Sequence, residues 1–195
     1  MSRKLDYVVS GTSYMRFSNP GIAKDETNSS IINMLIDKLV TDVHSHKFSM
    51  LYNGHTESSF GDRFSVYKPH VNEIHADSGG LQIVTQGMTI TDELKDKVYE
   101  NQAQWADVGM CFDEIPVVLT GDRSDRNDTK ARFFDFENYE KLARKTGRNV
   151  KRQLEIFDKA DSKCKPYIIL QGNCIDTYLR WYELLMEEVP AEWHN

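Results

Sequence analysis

The sequence predicts an α/β fold built on parallel strands, and three observations predict it. Short apolar runs alternate with longer segments whose apolar residues recur at three- and four-residue steps. The runs at 108–112 and 167–170 are apolar almost throughout, as expected of strands buried on both faces. Polar side chains follow the strands directly, at Asn53, Asp77, Asp113 and Gln171. Such alternation implies parallel strands joined by crossover helices. An open doubly wound sheet and a segment of a (β/α)8 barrel both fit. In either, ligands bind at the carboxyl edge of the strands, where these four polar residues fall.

Each element has its own signal. Tyr7 to Gly11 reads as a first strand. Ile31, Ile32, Leu35, Ile36, Leu39 and Val40 then mark a helix, with Ser29 or Ser30 as its cap. Phe48 to Gly54 is a second strand ending in a turn, and Ile74 to Asp77 a short third. A helix starts near Thr91, whose hydroxyl can cap free amides, while Asp92 and Glu93 suit the positive helix end. Leu94, Val98 and Trp105 share one of its faces. Val108 to Phe112 is the fourth strand, and 120–128 a long polar loop. A helix from about 137 to 159 turns Tyr139, Leu142, Ala143, Val150, Leu154 and Phe157 to a core. Tyr167 to Leu170 is the fifth strand, and a last helix holds Ile175, Tyr178, Leu179, Tyr182, Leu185 and Met186.

The chain of 195 residues suits a single domain. It has no apolar run of membrane-crossing length and no secretory signal at Met1–Asp6, so the cytoplasm is the expected compartment. Cys111, Cys164 and Cys174 are too few and scattered for a disulfide framework, and no CxxC suggests zinc. The formal net charge of −6 argues against binding nucleic acid through a general positive field. It leaves room for a local basic surface, such as the Arg and Lys residues between Arg123 and Arg152, although interspersed acids favour a solvated helix face there.

Three patches carry candidate chemistry. In Asp77-Ser78-Gly79-Gly80, an acid at a strand end is followed by glycines that let backbone amides approach a ligand. Alone, this tetrapeptide reads more readily as a strand-ending turn. Asp113 can accept two hydrogen bonds from the N1–H and exocyclic amine of a guanine-like ring, or simply cap the next segment. Gln171 can donate to a purine O6 or N7 while Gly172 leaves room for the ring, or the pair can be a turn. Together they lie at successive strand ends with donors and acceptors complementary to a purine edge, which favours one binding site. His75 shares a strand face with Asp77 and is expected to make a structural hydrogen bond. His44 and His46 lack a ligand cluster, and Trp105, Trp181 and Trp193 read as core or interface residues.

Asp77-Ser78-Gly79-Gly80-Leu81-Gln82, then Phe112-Asp113-Glu114, then Leu170-Gln171-Gly172 resemble three successive signatures of the tRNA-guanine (queuine) transglycosylase family, best over about 73–185. In style the sequence is similar to phage-encoded members associated with 7-deazaguanine in DNA. The resemblance implies a partial TIM (β/α)8 barrel over 1–195, with about five strand–helix units and without the C-terminal strands and zinc subdomain. It implies exchange of guanine in tRNA or DNA for a 7-deazaguanine through a covalent intermediate at ribose C1′. Asp77 would be the catalytic acid/base. Ser78, Gly79, Gly80 and Leu81 would line the pocket, and Asp113, Gln171 and Gly172 would hold the base.

Departures from the family pattern matter. Leu81 stands where an aromatic residue usually packs on the base, and Asn173-Cys174 varies the usual glycine-rich continuation. No residue matches the family's nucleophilic aspartate or its zinc ligands, so no metal or other cofactor is expected in this chain. A barrel of five strands would expose a strand edge and apolar helix faces, implying a companion polypeptide that completes it. A non-catalytic remnant that binds a deazapurine or a partner is the alternative. An unrelated hydrolase or nucleotide-binding enzyme is disfavoured by the lack of G-x-S-x-G, P-loop and G-x-G-x-x-G motifs.

Overall fold

The computed structural model describes residues 8–9, 49–55, 68, 71–80, 89–119 and 132–194. In chain order the strands are β1 (Val8–Val9), β2 (Ser49–Asn53), β3 (Ile74–Asp77), β4 (Val108–Met110), β5 (Val117–Leu119), β6 (Arg132–Phe134) and β7 (Lys165–Tyr167). The helices are α1 (Asp92–Trp105), α2 (Tyr139–Lys159) and α3 (Ile175–Met186), followed by a 3-10 turn at Ala191–Trp193. One sheet runs β1-β2-β3-β4-β7, and each of its pairs is parallel. Strand order therefore follows chain order with no reversal. The predicted α/β class with parallel strands and crossover helices is what the structure contains.

Register fixes the faces of this sheet. Met50 pairs with Ile74, Tyr52 with Ala76 and Ala76 with Gly109, so these residues share a side. That side is the helix side: Met50, Tyr52, Ile74 and Ala76 form one buried cluster with Val98 and Tyr99 of α1 and Phe157 of α2. Gly109 is pressed so closely that an added Cβ would lie 2.9 Å from Phe157 Cζ and 2.8 Å from Gln102 Oε1. The opposite side carries Ser49, Leu51, Asn53, His75, Asp77, Val108 and Met110, and no described helix packs on it. A second cluster joins α2 and α3 through Tyr139, Ala143, Val150, Trp181, Leu184 and Leu185. Trp181 is fully buried, and Trp105 and Trp193 pack partly buried against the two clusters.

Local chemistry explains the helix limits. Thr91 caps α1, its hydroxyl accepting from Leu94 N, with Asp92 and Glu93 in the first turn as expected. Before α2, Asp135 accepts from both the backbone and side-chain nitrogens of Asn138. At α3, the Thr177 hydroxyl accepts from the backbone nitrogens of Asn173 and Cys174.

Two expectations need correction. The fifth strand is Lys165–Tyr167 rather than the apolar run 167–170, and all three of its residues are exposed rather than buried on both faces. It pairs on one side with β4 and has no described neighbour on the other, and Pro166 is tolerated at such an edge. Ile168 and Ile169 pack instead against the α2–α3 cluster. Secondly, the polar stretch after β4 is flanked by an antiparallel pair, β5 with β6, that the sequence pattern did not suggest. The loop 120–128 itself, the helix near 29–40, His44 and His46 lie outside the described residues.

Candidate functional site

The candidate site begins where β3 ends. Asp77 lies beside Asn53 in the ladder, and its carbonyl accepts from Gly54 N at 2.8 Å. Strand alternation turns the Asp77 side chain away from the helix-covered face. Burial pushes its carboxyl above the ordinary value, while hydrogen bonds from the Gly79 and Ser78 amides pull the other way. Backbone curvature supplies those amides: Gly79 sits at φ +75°, a left-handed conformation that glycine adopts without steric cost. Ser78 is buried, its hydroxyl accepting from Gly80 N at 3.3 Å. Gly80 brings the turn onto β4's exit, where a Cβ would stand 3.6 Å from Phe112 and 3.9 Å from the Asp113 carbonyl.

Asp113 lies three residues beyond β4 on a segment held from below. Phe112 N donates to the Tyr99 hydroxyl, Asn149 Nδ2 donates to Phe112 O, and Glu114 N donates to Thr146 Oγ1, all within 3.0 Å. α1 and α2 thus fix the carboxylate through three hydrogen bonds to the chain on either side of it. Sequence reasoning missed these anchors because Tyr99, Thr146 and Asn149 are buried polar groups on helices. Gln171, at the exit of β7, donates from Nε2 to Asp113 Oδ2 at 2.5 Å. Trp181 steadies that exit by donating from Nε1 to Ile169 O at 3.2 Å.

Burial is again the leading influence on Asp113, raising its pKa. The Gln171 bond lowers it, and the charges of Asp77 and Glu114 raise it. Asp77 and Asp113 are therefore within electrostatic reach of each other, with Gln171 bonded to the second. The three predicted residues Asp77, Asp113 and Gln171 come together at the ends of adjacent strands. The Ser78–Gly80 turn runs between the first two. Space left by Gly172 is filled by α3, since a Cβ there would meet Thr177 Oγ1 and Tyr178 Cγ at 2.9 Å. Leu81 lies outside the described residues.

Other sequence signals resolve more simply. His75 Nε2 lies 3.2 Å from Glu73 Oε2, with its ring edge-on to Tyr167. Cys111 is fully buried beneath the site, and burial pushes its thiol up to about 12. On α2, Lys145 pairs with Glu114, Arg148 with Glu188, Arg152 with Asp96, and Arg144 with Glu187. Among the described residues no group of three or more His, Cys, Asp or Glu could hold a metal ion. No described helix is long and apolar enough to cross a membrane.

The arrangement offers a carboxyl for proton transfer, a second carboxylate and amide as a hydrogen-bonding pair, and backbone curvature beside both. Comparison of the chain with protein families, curated proteins and solved structures finds no match.

Proposed function

We propose that this chain binds a guanine or 7-deazaguanine ring and contributes to its exchange within tRNA or DNA. The observation that carries the reading is the Gln171–Asp113 hydrogen bond beside Asp77. A carboxylate offers about four lone-pair sites, of which Gln171 and the Asp113 backbone amide take two, so capacity remains for a guanine N1–H and amine. The second hydrogen of the Gln171 amide would meet a purine O6 or N7.

Fold evidence supports the same reading. Strand order without reversal, with described helices packed on one face alone, is the arrangement of a (β/α)8 barrel segment. A doubly wound sheet reverses its order and carries helices on both faces. On this reading the polar side with Asn53, His75 and Asp77 is the barrel interior.

The exchange proceeds by two displacements. A carboxylate attacks ribose C1′, the C1′–N9 bond breaks, and its electron pair leaves with guanine, which takes a proton. The incoming deazaguanine gives up its N9 proton, attacks C1′ and releases the carboxylate. Asp77 is the group that gives and takes these protons; its raised pKa brings it nearer the operating pH. Asp113 and Gln171 hold the base edge. No residue of this chain matches the family's nucleophile, so its own share is recognition and proton transfer.

Calorimetric titration with free 7-deazaguanine tests the reading. Binding is expected to weaken at least about tenfold, or about 1.4 kcal/mol, in Asp113→Asn and in Gln171→Leu. Unchanged affinity in both variants, or no binding by the wild type, defeats the proposal. Exchange of labelled guanine in tRNA and in DNA separates the two polymers. Base binding with no exchange under any condition favours the non-catalytic alternative.

A further inference from the structure

We infer that Lys95, a buried lysine of α1, is a positioning residue that sets the aim of the Asp113 carboxylate by fixing the amide of Asn149. Its part in base recognition rests on the reading of Asp113 as the group that holds the ring edge.

Lys95 is 6% exposed, and a buried ammonium is costly unless a carboxylate compensates it closely. The carboxylate it reaches is Asp92, at 3.5 Å and with a side chain 64% exposed. Its short bond goes to a neutral group instead: Nζ donates to Asn149 Oδ1 at 2.8 Å, across the α1–α2 contact. A methionine would fill much the same space without the cost of burying a charge. Packing alone therefore gives no reason for a lysine here. What the ammonium does to Asn149 gives one.

An asparagine amide presents an acceptor at one end and donors at the other. An ammonium has donors only, so Asn149 must turn Oδ1 to Lys95 and its NH2 away. That NH2 meets the chain on both sides of Asp113. Nδ2 donates to Phe112 O at 2.9 Å and to Glu114 Oε1 at 3.4 Å. Lys145 of α2 holds the same Glu114 oxygen at 2.9 Å. A reversed amide would instead bring Oδ1 against the Phe112 carbonyl and the Glu114 carboxylate, two acceptors that repel it.

The Phe112 carbonyl and the Asp113 N–H belong to one planar peptide group. Asn149 holds the first; the second donates to the Asp113 carboxylate, whose Oδ2 accepts from Gln171. Turning that plane would break the bond within Asp113 and swing its carboxylate away from Gln171. Lys95 thus reaches the base edge through an amide, a peptide plane and a carboxylate in series.

Calorimetric titration with 7-deazaguanine, together with the NMR signals of the Gln171 side-chain NH2, supplies the test. Lys95→Met removes the donor and keeps the bulk, so the wild-type melting temperature is expected to persist. Asn149→Asp gives Lys95 a stronger partner but removes the donor to Phe112 O. Each variant is expected to bind the base at least about tenfold more weakly and to shift the Gln171 signals. Introduced into Asp113→Asn, neither should lower affinity further by more than about twofold, because the group they aim is gone. A merely structural role would leave the loss undiminished in that background, which overturns the assignment. Wild-type affinity in either variant overturns it too. Should Lys95→Met fail to fold, Asn149→Asp decides by the same readouts. Base binding with unshifted Gln171 signals sinks the role of Lys95 alone. Shifted signals with no base binding by the wild type sink only the proposed function.

Discussion

The side-chain amide of Asn53 occupies the space that a β-carbon on Gly79 would need, with Oδ1 2.6 Å from that position. Asn53 is itself held, since Oδ1 accepts from His55 N at 3.0 Å. A strand-end residue of β2 thereby shapes the turn that presents amides to Asp77. Gly79→Ala is expected to destabilise the fold by about 1–3 kcal/mol, from the left-handed backbone and the contact with Asn53 together. Adding Asn53→Ala should recover part of that loss, so the double-mutant cycle measured by urea denaturation is non-additive. Strict additivity would show that the two residues do not press on each other.

Asp113 gives the fold an unusual dependence on pH. Its folded pKa is raised above the ordinary 3.8, chiefly by burial. The folded state therefore binds the proton more tightly than the unfolded chain. This contribution to stability is fully present below the unfolded pKa and is lost as pH rises through the folded value. Asp113→Asn removes that loss, so at neutral pH the variant should melt higher than the wild type. The gap should close as pH falls below 3.8. Thermal melts across that range check the sign, and a lower melting temperature at neutral pH would contradict it.

Gly147 of α2 packs directly on the end of α3. An alanine there would bring Cβ to 2.3 Å from Leu185 O and 2.8 Å from Glu188 Cβ. Alanine gains about 1 kcal/mol of helix propensity over glycine. The clash is with backbone and outweighs that gain, so a net loss of about 1–3 kcal/mol is expected. Trp181, buried between these helices, should report the displacement by fluorescence.

Thiol chemistry should distinguish the three cysteines. Burial pushes Cys111 and Cys164 up to about 12, while bonds from Thr177 hold exposed Cys174 below its ordinary 9.0. The thiolate fraction at neutral pH then differs by at least about a thousandfold. An aromatic disulfide reagent should titrate one thiol rapidly, and Cys174→Ser should abolish that phase. Two rapid equivalents would contradict the burial of the others.

Strong local signals were legible in the sequence. Ile74–Asp77 stands where the pattern put it, and Thr91 caps α1 as its neighbours required. Asp77, Asp113 and Gln171 were legible as a group because each follows an apolar run. β7 was misread because its bonds to the neighbouring strand are made by Lys165 and Tyr167 on either side of Pro166, whereas the more apolar Ile168 and Ile169 serve the α2–α3 cluster. The β5–β6 pair has three-residue strands, too short to show a period. Buried amides were illegible for another reason. Gln153 Nε2 donates to Gln102 Oε1 at 2.8 Å and to Gly109 O at 3.0 Å, and Gln102 Nε2 donates to Ala76 O and Met110 O. Only spatial neighbours reveal that a glutamine on a polar-looking helix face braces a sheet.

Strand order that matches chain order bears on biosynthesis. As the polypeptide emerges from the ribosome, each new strand of the main sheet finds its neighbour already made. No later described strand has to be threaded between two that have paired, so this part of the sheet grows from one side. Among the described strands β7 is the last to join, so the margin of β4 stays adhesive until it arrives.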